Sequence, residues 1–268
     1  MPNPSIFTQV INSYLPEPHA SLLNGILFGV SLRTSQEFFM QLKMVGLLHI
    51  VVLSGINITL LASIIASFTG FLNKTLSSLL TIISIILFVL FVGPDPPIVR
   101  AGIMGGLSLF AIIFGRQKNA LYLLLLSGLL VLLFKFEWIQ SISFQLSYGA
   151  TLGIILFGSA KLKGKSISDR IKYDIAKEIR PSLAAQLFTA PLIFYYFKQV
   201  SLISPISNLL VSPLIAPLMM FGFVTAILGK INFYLGLIPS YICYGILSYM
   251  VFIIEFLSKL PFIFLDFN

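Results

Sequence analysis

The run LSSLLTIISIILFVLFV, residues 76–92, decides the fold. It holds no charge over 17 residues, follows Asn73-Lys74, and stops at Gly93-Pro94-Asp95-Pro96-Pro97. About 20 apolar residues in a helix cross the hydrocarbon core of a bilayer, and a Pro/Gly cluster of this kind forms a turn. Spanning β-strands would alternate polar and apolar residues in segments of about ten; this run does not alternate. The whole chain agrees with its centre. Of 268 residues 57% are hydrophobic and 10% charged, against about 25% charged in soluble domains. Mean hydropathy is +1.00. Nine acids and 17 basic residues cannot cover the surface of a soluble fold this size. The fold class is an all-α integral membrane protein.

Outward from that run, further spans are predicted at 46–72, 98–114, 120–134, 138–157, 181–197, 204–228 and 238–257, about eight in all. Residues 1–45 form an N-terminal segment of interfacial or re-entrant helices, since 20–29 is apolar but too short to cross. Residues 46–268 form one polytopic domain. The seventh span carries Pro205, Pro213 and Pro217 and is expected to be broken or re-entrant. Between spans five and six, Ile167, Ile171, Ile175 and Ile179 recur every four residues among charges, as on a helix lying along a membrane surface. Residues 1–9 lack a basic segment followed by an apolar one, so the first span serves as its own insertion signal. Cys243 lies in an apolar run and is read as packing.

Polar residues inside spans face protein or water, because lipid leaves them unpaired. The first span carries His49, Ser54, Gly55 and Asn57. At about 100° per residue, Asn57 lies about 80° and Ser54 about 140° from His49. That half-helix face suits either a watered path or close polar packing. Ser54 and His49 are too far out of phase on one helix to form a nucleophile–base pair. Arg100 opens the third span and could bind phosphate or snorkel to headgroups. In the fifth span Ser141, Gln145 and Tyr148 share a face, beside Ser147. Gly102-xxx-Gly106 and Gly149-xxx-Gly153 read as helix packing. Asn208 sits between the first two prolines of the seventh span, where its amide either caps freed backbone or lines a path. His19 and His49 are the two histidines, no Walker A motif occurs, and spans one to seven hold no acid. These exclude a His-rich metal centre, a P-loop enzyme and the usual midplane carboxylate of an ion-coupled carrier. No catalytic residue, metal ligand or cofactor is assigned.

In order along the chain, several pieces resemble the competence domain of ComEC-type DNA-uptake channels. They are Leu15-Pro16-Glu17-Pro18; Gly46-Leu47-Leu48-His49 with Ser54-Gly55; Val99-Arg100-Ala101; Gly115-Arg116; Asn119-Ala120-Leu121; Phe144-Gln145-Leu146-Ser147; Pro191-Leu192; Asn208-Leu209-Leu210; and Lys259-Leu260-Pro261. Asn57 stands where the family usually has a second His, and Lys135-Phe136 where it has Asp-Pro. The OB-fold and metallo-β-lactamase-like domains of larger members do not occur in this sequence, so the expectation is a fragment or a channel-only member. The resemblance implies passage of single-stranded DNA across the bacterial cytoplasmic membrane, with a path lined by His49, Ser54, Gly55, Asn57, Arg100, Gln145, Ser147 and Asn208. It also implies work beside a DNA receptor, a cytoplasmic helicase or translocase and a separate nuclease. A small-solute carrier and a non-transporting assembly partner are the alternatives.

Cation placement predicts orientation. With eight spans the odd-numbered loops hold 11 of the 17 cations, seven of them within 159–180, and the other side holds six. Lys and Arg gather in cytoplasmic loops, so both termini are expected outside. Cysteines placed in 159–180 are expected to resist a membrane-impermeant thiol reagent in intact cells; rapid labelling from outside would reverse the topology.

Overall fold

A computed structural model describes residues 4–51, 55–115, 119–159, 167–261 and 264–266. Its described helices are α1 (Ser5–Tyr14), α2 (His19–Phe28), α3 (Gln36–Met44), α4 (Leu48–Val51), α5 (Gly55–Phe68), α6 (Lys74–Val92), α7 (Pro96–Ile113), α8 (Ala120–Phe134), α9 (Ile142–Phe157), α10 (Ile167–Phe197), α11 (Ser204–Ile231) and α12 (Phe233–Ser258). A 3₁₀ turn covers Phe136–Gln140, and two short antiparallel strands pair β1 (Gln199–Ser201) with β2 (Phe264–Asp266). Asn73 and Asn119 cap α6 and α8 by accepting from backbone N–H groups two or three residues on. Pro96 and Pro97 open α7, where their missing N–H bonds cost nothing.

α6, α7, α11 and α12 are long and apolar enough to cross a membrane by length and composition, while α2, α5, α8 and α9 are apolar and shorter. The outer face of α6 carries Leu76, Leu79, Ile83, Ile86, Leu87 and Leu90, all exposed. Its buried face carries Ser78 and Thr81 with Ile85 and Phe88. Apolar side chains pointing outward at helical spacing, with small polar ones inward, invert the soluble pattern and suit a lipid surround.

The larger core forms around α2. Residues 20–28 are all buried, and Leu23 and Leu27 pack onto Gly222 of α11. α12 lies along α11 and contributes Cys243, Leu247, Met250 and Ile254 to the same core. The thiol of Cys243 is therefore packing, as its apolar neighbours imply. A smaller core joins α5, α6 and α7 through Ile58, Ile85, Phe88 and Ile98.

Three sequence expectations change. The seventh span is not broken: α11 runs continuously from Ser204 to Ile231. Pro205 falls in its first turn, where no N–H bond is missed, and Pro213 and Pro217 each remove one backbone bond from a helix held along its length by packing against α2 and α12. Irregular backbone at membrane depth, the feature that favoured a small-solute carrier, is thus absent from α11. The isoleucine-striped segment does not form a separate surface helix. It continues through Pro181 into the sixth span as the 31 residues of α10. Trp138 lies in the 3₁₀ turn, and Ser141 caps α9 rather than joining its polar face.

The two GxxxG motifs differ. A Cβ on Gly153 would overlap the Ala184 carbonyl of α10 and come within 2.8 Å of the Phe188 ring, whereas one on Gly106 meets nothing within 4 Å. Gly153→Ala is expected to lower stability by about 1–3 kcal/mol, because backbone cannot give way as a side chain can. Gly106→Ala should be neutral or stabilising by up to about 1 kcal/mol. Thermal unfolding in detergent distinguishes the two.

Candidate functional site

Gly55, Arg100, Gln145 and Ser147 gather at one end of the bundle, near the starts of α5, α7 and α9 and the end of α10, joined by contacts between Gly55 and Arg100, Arg100 and Ser147, and Gln145 and Tyr196. Asn208 lies apart: α11 starts beside Ser182 and Gln186 of α10, about 21 Å of helix from Tyr196.

Arg100 is its centre. It is 8% exposed. Its Nε donates to Ser147 Oγ at 2.8 Å, and its Nη1 donates to Thr151 Oγ1 at 2.5 Å and approaches Met104 Sδ at 3.7 Å. Thr151 gives its own proton to the Ser147 carbonyl at 2.9 Å, which leaves its oxygen lone pairs to the guanidinium. The Tyr148 ring lies 5.8 Å from Arg100 Cζ, a cation–π distance. Tyr148 is steadied by a 3.2 Å contact to the buried Ser127 hydroxyl. Among the described residues no carboxylate pairs with Arg100; its bonded partners are neutral hydroxyls and a thioether. Burying a cation without a counter-charge is costly. In a membrane domain such a residue marks a functional site by default. Snorkelling, one of the two sequence readings, does not describe a guanidinium clasped between helices.

Gly55 belongs to the same centre. A Cβ there would lie 2.7 Å from Arg100 Nη2 and 3.2 Å from Ala101 Cβ. Gly55 must therefore lack a side chain for α5 and α7 to approach this closely. The first and fifth spans are joined through α7, which packs against both.

The remaining residues divide. Asn57 is 1% exposed and donates to the Ile26 carbonyl of α2 at 2.8 Å, so it ties α5 to the core. His49 is exposed, and its Nδ1 donates to the Gly46 carbonyl at 2.8 Å. Ser54 lies outside the described residues, as do Val52 and Leu53, and the first span appears as α4 and α5 on either side of them. The phase relation drawn between His49 and Asn57 passes through those residues and lies outside the described ones. Gln145 donates to the Ile139 carbonyl at 3.1 Å and accepts from Tyr196 Oη at 2.9 Å, closing the 3₁₀ turn onto α10. Asn208 does not cap α11. Its Nδ2 donates to Ser182 Oγ of α10 at 2.9 Å and to Ser204 Oγ at 3.5 Å, while its buried Oδ1 has no partner among the described residues.

Sequence reasoning missed the serines that lock the start of α11. Ser201 and Ser207 donate to the Met44 and Val45 carbonyls at 2.7 and 2.6 Å, and Gly46 adopts φ 75° against Ser204. Serine in an apolar chain gives no directional signal, because its hydroxyl can bond its own helix as readily as a distant carbonyl. Thr151 was the legible one, four residues after Ser147 on the same helical face. Asn57→Leu should cost about 1–3 kcal/mol by leaving the Ile26 carbonyl buried and unpaired; a thermal melt equal to wild type would contradict that role.

Comparison with known proteins completes the site. Residues 26–268 match the competence protein family. The chain is 26% identical over 205 residues to ComE operon protein 3 of Bacillus subtilis (strain 168), an alignment covering 75% of this chain and 25% of that protein. It is 30% identical over 218 residues to an uncharacterised protein of Aquifex aeolicus (strain VF5), covering 80% of this chain and 48% of that one. The chain thus spans a quarter to about half the length of these relatives. No solved structure matches it.

Proposed function

The chain belongs to the competence protein family, and from that premise we propose that it forms a channel carrying single-stranded DNA across the bacterial cytoplasmic membrane during DNA uptake. The observation that carries the reading is Arg100, a buried cation without a carboxylate partner among the described residues, set among polar side chains at one end of an apolar helical bundle. A polyanion entering a low-dielectric domain needs fixed positive charge and hydrogen-bond donors, while a row of lysines would hold it in place. One arginine among neutral hydroxyls suits passage better than retention.

In this reading the Arg100 end is the outer mouth and the basic segment 159–180 lies at the cytoplasmic side, with both termini outside. The path is lined by His49, Ser54, Gly55, Arg100, Gln145, Ser147 and Asn208, and Asn57 holds its wall. The passenger strand arrives from a DNA receptor and is drawn in by a cytoplasmic translocase, with a separate nuclease supplying the single strand. No residue of this chain is assigned a catalytic role.

Cells whose own copy is replaced by an Asn208→Leu variant should take up a marked DNA about tenfold or more less efficiently at unchanged membrane abundance. The substitution raises hydrophobicity but removes the donor that joins α10 to α11. Wild-type uptake would refute the channel role assigned to Asn208.

A further inference from the structure

We infer that Arg100 is a single-phosphate contact point: one edge of its guanidinium is spent on the protein and the other, without a bonded acceptor among the described residues, meets a phosphodiester of the strand. This rests on the channel reading and identifies the group within it that meets the backbone.

A guanidinium carries five N–H donors in a rigid fork. The Nε and Nη1 side is consumed by Ser147, Thr151 and Met104. No acceptor among the described residues bonds Nη2. What lies beside Nη2 is Gly55, whose missing Cβ would have stood 2.7 Å away. The arginine is therefore held from one side by partners that set its rotamer without neutralising it. An acidic partner would spend the charge; hydroxyls fix the position and leave the charge intact. Among biological anions phosphate matches two N–H donors from one planar group, and Arg is the side chain whose geometry matches it. The flanking Tyr148 ring, 5.8 Å from Cζ, limits tilting of the plane.

A single fixed contact has a consequence that a basic patch lacks. It engages one phosphate at a time and reads no base, so successive nucleotides exchange places at equal energy. Sequence-independent stepping follows from there being one such contact rather than a row of them.

The test is binding of a fluorescein-labelled single-stranded oligodeoxynucleotide to the full chain in lipid nanodiscs, measured against salt concentration. A second oligonucleotide of the same sequence carries uncharged methylphosphonate linkages. Loss of one phosphate contact on a single strand lowers the slope of log K against log salt by about 0.7. Arg100→Gln should show that drop and bind the phosphodiester strand about tenfold more weakly, while its weak binding of the methylphosphonate strand stays unchanged. Gly55→Ala, which keeps the charge but crowds Nη2, should weaken phosphodiester binding. Ser147→Ala, which frees one side of the arginine, should weaken it less. If Arg100→Gln is lost from the membrane, Gly55→Ala and Ser147→Ala carry the test. A wild-type salt slope in Arg100→Gln, or wild-type affinity in Gly55→Ala and Ser147→Ala where Arg100→Gln does not insert, would make Arg100 a packing residue and leave the channel reading standing. Failure of the wild-type chain to bind the phosphodiester strand would overturn both.

Discussion

Hydrocarbon offers no hydrogen bonds, so every polar group that enters it must find its partner inside the protein. That constraint organises this molecule. It makes the apolar segments helical, because a helix pairs its own backbone. It sends the hydroxyls of Thr59, Ser67, Thr81 and Thr225 back to carbonyls of their own helices four residues earlier. It places Asn57 on a carbonyl of α2 and Ser207 on a carbonyl ahead of α4. Each long-range polar bond acts as a rivet between helices that apolar contact alone would leave free to slide, since lipid tails are as apolar as leucine.

Arg100 is where the constraint is met least completely. Its hydrogen bonds are supplied on one side, and among the described residues no carboxylate compensates its charge. Two helices bring the neutral acceptors and stacking ring of α9 to the cation of α7, and a third must be cut back to glycine to fit beside it. The other polar residues, by contrast, are mostly spent on partners within the protein. Gln145 is taken by Ile139 and Tyr196, and Asn208 by Ser182 and Ser204. Gln145 holds the start of α9 to the end of α10, and Asn208 holds the start of α11 to the middle of α10. A path for DNA would then be shaped by them, with Arg100 supplying the attraction.

The prolines of α11 illustrate how context overrides local preference. Alone, Pro213 and Pro217 forecast a break, because each deletes a backbone donor. In place, α11 packs on α2 and α12 along its length, and that packing outweighs the loss of two bonds. The Pro213 and Pro217 positions are also one turn apart on the same face, so their disturbances fall together rather than interrupting the helix from several sides. The segment before Pro181 behaves alike: a stripe legible as a surface helix becomes the first half of α10.

By itself the sequence determined the membrane class, the family resemblance and most helix positions. Those follow from apolar runs such as 76–92 and from capping and turn residues such as Asn73, Asn119 and Gly93-Pro94, all local properties. It also marked Gly55, Arg100, Gln145, Ser147 and Asn208 as polar or small residues that lipid would not tolerate without a reason. What it could not decide is which of them meet. Arg100 and Ser147 are 47 residues apart and Asn57 and Ile26 31 apart, and nothing in composition or periodicity pairs such positions. Only tertiary packing decided that Asn57 is a tie to the core, that α7 stands between the first and fifth spans, and that Arg100 is clasped from one side alone. The reason is physical: an apolar helix is specified by its own residues, whereas the partner of a polar group in lipid is whichever neighbour the bundle brings within 3 Å.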